Sequence, residues 1–146
     1  MPPLSRPVPS ALLLLLLAGC GTVKSPTEPT PDPGVEGTAF AFARIQAEIF
    51  TPTCAKAGCH AASAASGGLV LEAGRSHGEL VGRPSTQAGG LDRVESGDPE
   101  RSYLILKLRG APEITGQRMP LDGPPYLTPG QIDGIAAWIR AGAPND

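Results

Sequence analysis

Aromatic side chains are scarce in this chain: three Phe, two Tyr and one Trp among 146 residues. Rings alone therefore cannot fill a large core. Histidine occurs only twice, and neither copy can be tied to a serine nucleophile and an orienting acid, which leaves triad hydrolysis without support. Cationic residues do not exceed acidic ones, with 12 Lys and Arg against 14 Asp and Glu. That balance gives no case for nucleic-acid binding. Long apolar runs are missing too, apart from residues 11–17, a stretch too short to span a bilayer as a mature helix. What is abundant is backbone punctuation: 19 Gly and 17 Pro point to a small, loop-rich domain that gains from an added staple or cofactor.

The apolar run follows a short segment with Arg6 and ends in Leu17-Ala18-Gly19-Cys20. This resembles a bacterial lipoprotein signal, which implies cleavage before Cys20 and lipidation of its thiol. A plain secretory signal or a short uncleaved anchor is the alternative. Loss of residues 1–19 leaves 11 cationic against 14 acidic side chains, a formal net of −3. Residues 20–38 contain Pro26, Pro29, Pro31 and Pro33 among Ser, Thr and acidic residues. Without apolar periodicity, they are expected to form an extended tether. The domain proper is expected over 39–146, in the cell envelope, facing the periplasm or cell surface.

With Cys20 committed to lipid, Cys54 and Cys59 remain as a pair outside the reducing cytoplasm, where free thiols seldom persist. They stand in Cys54-Ala55-Lys56-Ala57-Gly58-Cys59-His60. Two cysteines ending in Cys-His are the pattern of c-type haem attachment, in which thiols join the vinyl groups and the histidine ligates iron. The usual gap is two residues and here it is four. Extra residues that bulge away from the ring would still let both thiols reach, with Gly58 supplying positive-φ freedom before Cys59.

Around this stretch, Phe42, Ile45 and Ile49 fall at helical spacing with Arg44, Gln46 and Glu48 opposite, so a helix is expected over 40–50. Thr51-Pro52 should end it. Residues 61–97 read as loops and short helical turns with Leu69, Leu71, Leu80, Val81, Leu91 and Val94 turned inward. Asp98-Pro99 opens a helix that Gly110 closes, and Met119-Pro120 lies in the Gly/Pro-rich loop beyond it. Thr128-Pro129 with Gln131 is a capping box for a last helix bearing Ile132, Ile135, Trp138 and Ile139 on one face. Trp138 is expected to pack on Phe42 and Ile45.

The run over residues 45–60, Gly67-Gly68-Leu69, Gly97-Asp98-Pro99 with Ser102-Tyr103-Leu104, Met119-Pro120, Leu127-Thr128, Trp138-Ile139 and Gly142-Ala143 occur in that order. Together they resemble a small class I-like cytochrome c domain of bacterial secreted proteins and lipoproteins. The resemblance covers nearly all of the chain beyond the tether. It implies a mainly α, loop-rich fold with N- and C-terminal helices packed together and one haem c. It also implies thioether links at Cys54 and Cys59, His60 as proximal iron ligand and Met119, 59 residues later, as distal ligand. The expected role is electron transfer with envelope redox partners, not catalysis on a substrate; an open sixth position would add peroxidase-like activity.

Other assignments remain for the same residues. Cys54 and Cys59 could close a disulfide in a binding or structural lipoprotein without haem. With His60 and Met119 they could instead make a soft-ligand copper or zinc site. Met119 could be a gap-filling core residue, and His77, in a polar loop, is expected to be exposed and only a rival sixth ligand. Lys107, Arg109 and Arg118 read as a solvated basic face, or as partners of a haem propionate or of an acidic redox protein.

Overall fold

The computed structural model describes residues 39–146. The expected leader 1–19, the lipidation site Cys20 and the tether 20–38 lie outside the described residues. Within 39–146 the chain builds a small, mainly helical domain without a β-sheet. Among these residues no helix is long and apolar enough to cross a membrane.

The first helix, α1 (Phe42–Ile45), continues without a break into a π-helix, Gln46–Cys54, with Pro52 inside it. The expected stop at Thr51-Pro52 is thus corrected. Proline disrupts an α-helix because its ring meets the carbonyl four residues back. The wider π register, in which the Ala55 N–H reaches the Phe50 carbonyl at 2.7 Å, moves that carbonyl aside. Cys54 therefore ends a helix instead of opening a loop. Asp146 supplies the start of α1: its side chain accepts from the Phe42 N–H at 2.7 Å and its carbonyl from the Ala43 N–H at 2.8 Å. Both groups would otherwise be unpaired at a helix N-terminus.

Gln46 is a second correction, since it is buried and does not face solvent. Its amide donates to Thr51 Oγ1 and to the Leu71 carbonyl, both at 3.0 Å, and its oxygen accepts from the buried Ser76 hydroxyl. Full hydrogen bonding is what makes such burial tolerable. The network joins the π-helix to α2 (Ser76–Leu80) and to the strand-like segment before it.

Leu71, Leu80 and Val94 are buried as expected, Leu69, Val81 and Leu91 are half-buried, and Val70 is buried as well. Isolated bridges such as Val81 with Val94 and Asp92 with Ser102 order this irregular middle. Asp98 caps a single 3-10 turn, Pro99–Arg101, and only after an extended Ser102 does α3 (Tyr103–Arg109) begin. Gly110 closes α3 at φ 70°, a backbone region glycine adopts readily.

The closing helix α4 (Pro129–Arg140) starts with the expected capping box: the Gln131 N–H donates to Thr128 Oγ1 at 3.2 Å and the Thr128 N–H to Gln131 Oε1 at 2.9 Å. Trp138 is fully buried, 5.2 Å from the Phe42 ring, and donates its indole N–H to the Pro144 carbonyl. Phe40 lies across α4 at Gly134, so close that a β-carbon there would sit 2.4 Å from its ring. The N- and C-terminal helices thus meet through rings, and their shared core sits behind the cleft described next.

Candidate functional site

A cleft of about 230 Å³ opens into some 1110 Å³ of atom-free space that includes its mouth. Its walls are largely apolar: Leu69, Leu71, Leu80, Leu104 and Leu108. Cys54, Cys59, His60 and Met119 all line it, so the four residues selected from the sequence converge on one space.

One wall is the stretch after the π-helix. The Cys59 N–H bonds the Lys56 carbonyl at 2.9 Å and the His60 N–H returns to the Cys54 carbonyl at 3.1 Å, so the four-residue gap is folded into a compact turn. Lys56, Ala57 and Gly58 are the exposed crest of that turn, and Gly58 has φ 82°. His60 is clamped from the other side by the Leu71 N–H on its carbonyl at 2.8 Å. Its Nδ1 lies 3.2 Å from the Leu69 carbonyl. A carbonyl only accepts, so Nδ1 carries a proton, and in the neutral tautomer this leaves the Nε2 lone pair for a ligand. That arrangement is the usual preparation of a metal-ligating imidazole.

Both thiols are free and half-buried. Cys54 packs against the core, and burial pushes its thiol up to about 12, with Lys56 opposing the shift. Among the described residues no three His, Cys, Asp or Glu side chains cluster as a metal-holding group.

The opposite wall is the loop carrying Met119. Lys107, expected on a solvated face, is buried; its Nζ donates to the Thr115 and Gln117 carbonyls at 2.9 and 2.8 Å. Arg118 is similarly engaged, with Nε donating to the Leu108 carbonyl at 2.7 Å and its guanidinium 4.2 Å above the Tyr126 ring. Arg109 pairs with Glu100 at 2.9 Å on the surface. These three side chains do not form a common basic face. His77 does not line the cleft; it is half-buried, bonded through Nε2 to the Ala143 carbonyl at 2.9 Å and set edge-on to Phe42.

Sequence reasoning missed Arg93. It lines the cleft, donating to the Glu79 carbonyl and carboxylate at 2.9 and 3.3 Å and to the Gly68 carbonyl at 2.9 Å. Nothing in a single Arg within a polar loop signals such a role. A cleft with apolar walls, one prepared imidazole, one thioether, two thiols and cations at its margin suits a flat, largely apolar group bearing a metal and peripheral anions. No protein-family model, no curated protein and no solved structure matches this chain.

Proposed function

We propose that the domain holds one c-type haem in this cleft and carries single electrons in the cell envelope, as a small cytochrome c-like domain. The observation that carries this reading is the placement of His60, its Nδ1 tied to the Leu69 carbonyl, on the same cleft as Cys54, Cys59 and Met119. The group supplies a one-electron ferric/ferrous couple when bound. The residues of the chain do the rest.

Cys54 and Cys59 would hold the group covalently, each S–H adding across a vinyl double bond with sulfur on one carbon and the proton on its neighbour, so that no oxidant would be needed. Cys54, rigid at the helix end, and Cys59, on the turn, anchor two points. His60 Nε2 would be a nitrogen donor to the metal, its basicity raised by the Nδ1 hydrogen bond to the Leu69 carbonyl. The Met119 sulfur would be a soft, neutral donor that favours the reduced metal and raises the potential. The leucine walls exclude water, so a change in charge meets little solvent reorganisation.

The chain beginning at Met1 is expressed in a periplasm with active haem attachment, then analysed by intact mass and by a reduced-minus-oxidised spectrum. Expected are a haem-sized mass increase that survives denaturation, sharp bands on reduction, and a far-red sulfur-to-iron band that disappears in Met119→Ala. Cys20→Ser should move the protein from membrane to soluble fraction. A colourless product lighter by only two hydrogens would establish a Cys54–Cys59 disulfide and overturn the proposal.

A further inference from the structure

The loop from 111 to 119 has apolar anchorage at Met119, which packs against the core, and at the half-buried Ile114, while residues 115–117 between them are exposed. Hydrogen bonds to α3 hold it, half of them through one residue; the Ala111 N–H adds one to the Leu106 carbonyl at 3.1 Å, and Thr115 Oγ1 donates to the Gln87 carbonyl at 2.8 Å outside α3. Lys107 accepts the Met119 N–H on its carbonyl at 2.9 Å, while its Nζ holds the carbonyls of Thr115 and Gln117. One side chain and one carbonyl of the same residue thus fix the loop both before Met119 and at it. Tyr103 and Leu108 add single bonds, Tyr103 Oη accepting from the Thr115 N–H at 2.9 Å and the Leu108 carbonyl from Arg118 Nε.

Lys107 is 8% exposed, and none of the ion pairs among the described residues includes it. A cation removed from water is kept only where other groups replace its hydration. Here the replacement comes from the loop's own carbonyls, so the cation is solvated only while the loop is in place. Gly116 fits this wrapping, since at φ 78° even a β-carbon would approach Nζ to 3.8 Å.

We propose that Lys107 is the positioning residue for Met119: its buried ammonium gathers the Thr115 and Gln117 carbonyls and so presents the Met119 sulfur to the cleft. The inference rests on the haem assignment for what that sulfur ligates, but not for the ordering of the loop. Lys107 itself touches no reacting atom. It acts through the conformation of the backbone that bears Met119.

The test compares the parent with Lys107→Leu, which removes every side-chain donor, and Lys107→Arg, which restores two. In the loaded protein, Lys107→Leu should keep the covalent mass increase and helical circular dichroism while losing the far-red band and shifting the reduction potential downward; Lys107→Arg should recover both. In the haem-free chain, the Met119 amide should exchange with deuterium roughly tenfold faster in Lys107→Leu than in the parent, as expected for an amide whose local structure has opened. Should Lys107→Leu fail to accumulate, Lys107→Gln, which keeps a donor without the reach to both carbonyls, is expected to move the same readouts in the same direction. A band, potential and amide exchange unchanged in a folded variant would overturn the proposal, as would a Met119 amide unprotected in the parent. A parent that takes no haem sinks the proposed function instead, and the exchange comparison still decides the role of Lys107.

Discussion

Cys54 is where a local environment most directly sets chemistry. Its thiol is pushed from 9.0 to about 12, first by burial at the helix end. The neutral thiol is thus favoured by folding. In the haem-free, reduced chain the unfolded thiol ionises above about 9 while the folded one stays protonated towards 12. Stability should therefore be full below pH 9 and fall as pH rises between the two values, by about 1.4 kcal/mol per pH unit at most. Urea titrations at pH 8 and pH 10.5, parent against Cys54→Ala, check this; a parent that loses no more stability than the variant would refute it. A half-buried thiol that resists ionisation also resists adventitious oxidation and alkylation.

Helices set the frame on which these residues sit, and α4 illustrates how strongly context can reverse a propensity. An interior glycine usually weakens a helix, so Gly→Ala should stabilise by up to about 1 kcal/mol. At Gly134 the expected sign is the opposite. A methyl there would lie 2.4–2.7 Å from the buried Phe40 ring, and overpacking of this kind costs about 1–3 kcal/mol. A lowered urea midpoint for Gly134→Ala, with unchanged slope, is the expected result. The same helix was the most legible part of the sequence: its cap, its apolar face and Trp138 all follow from residues within a few positions of each other. The π-helix was not legible. Pro52 signals a break by local rules, and the register that accommodates it depends on tertiary packing. Gln46 and Lys107 were illegible for a related reason: both are buried because carbonyls outside their own helices, at Leu71 for Gln46 and at Thr115 and Gln117 for Lys107, come to meet them. Cys54, Cys59, His60 and Met119 could be selected by residue type and spacing, but their convergence on one cleft could not be measured before folding.

At the scale of the whole domain, the cleft has two sides built in different ways. One is continuous with the first helix, and the other is a loop stitched to α3. Across the mouth, Lys56 and Asp122 meet at 2.8 Å. Among the described residues this is the one hydrogen bond or ion pair joining 54–60 to 119–126. Asp122 is held below the usual carboxylate range by its bond to Lys56, and Lys56 above the usual lysine range by the same partner. The attraction should accordingly persist above pH 3.8 and fade as pH falls through the depressed value. Both side chains are exposed, so added salt screens them. In the haem-free chain, alkylation of Cys54 at fixed pH should speed up with ionic strength, and in Asp122→Asn it should be fast and insensitive to salt. Equal salt dependence in the two would remove the pair from any control of access. Beside this pair Leu121 stands 61% exposed, a greasy lip next to a charged latch. A latch of this kind, an exposed pair at 2.8 Å, opens at small energetic cost. Width at the entrance thus becomes a quantity the surrounding medium can tune, while the depth of the chamber stays fixed by the core.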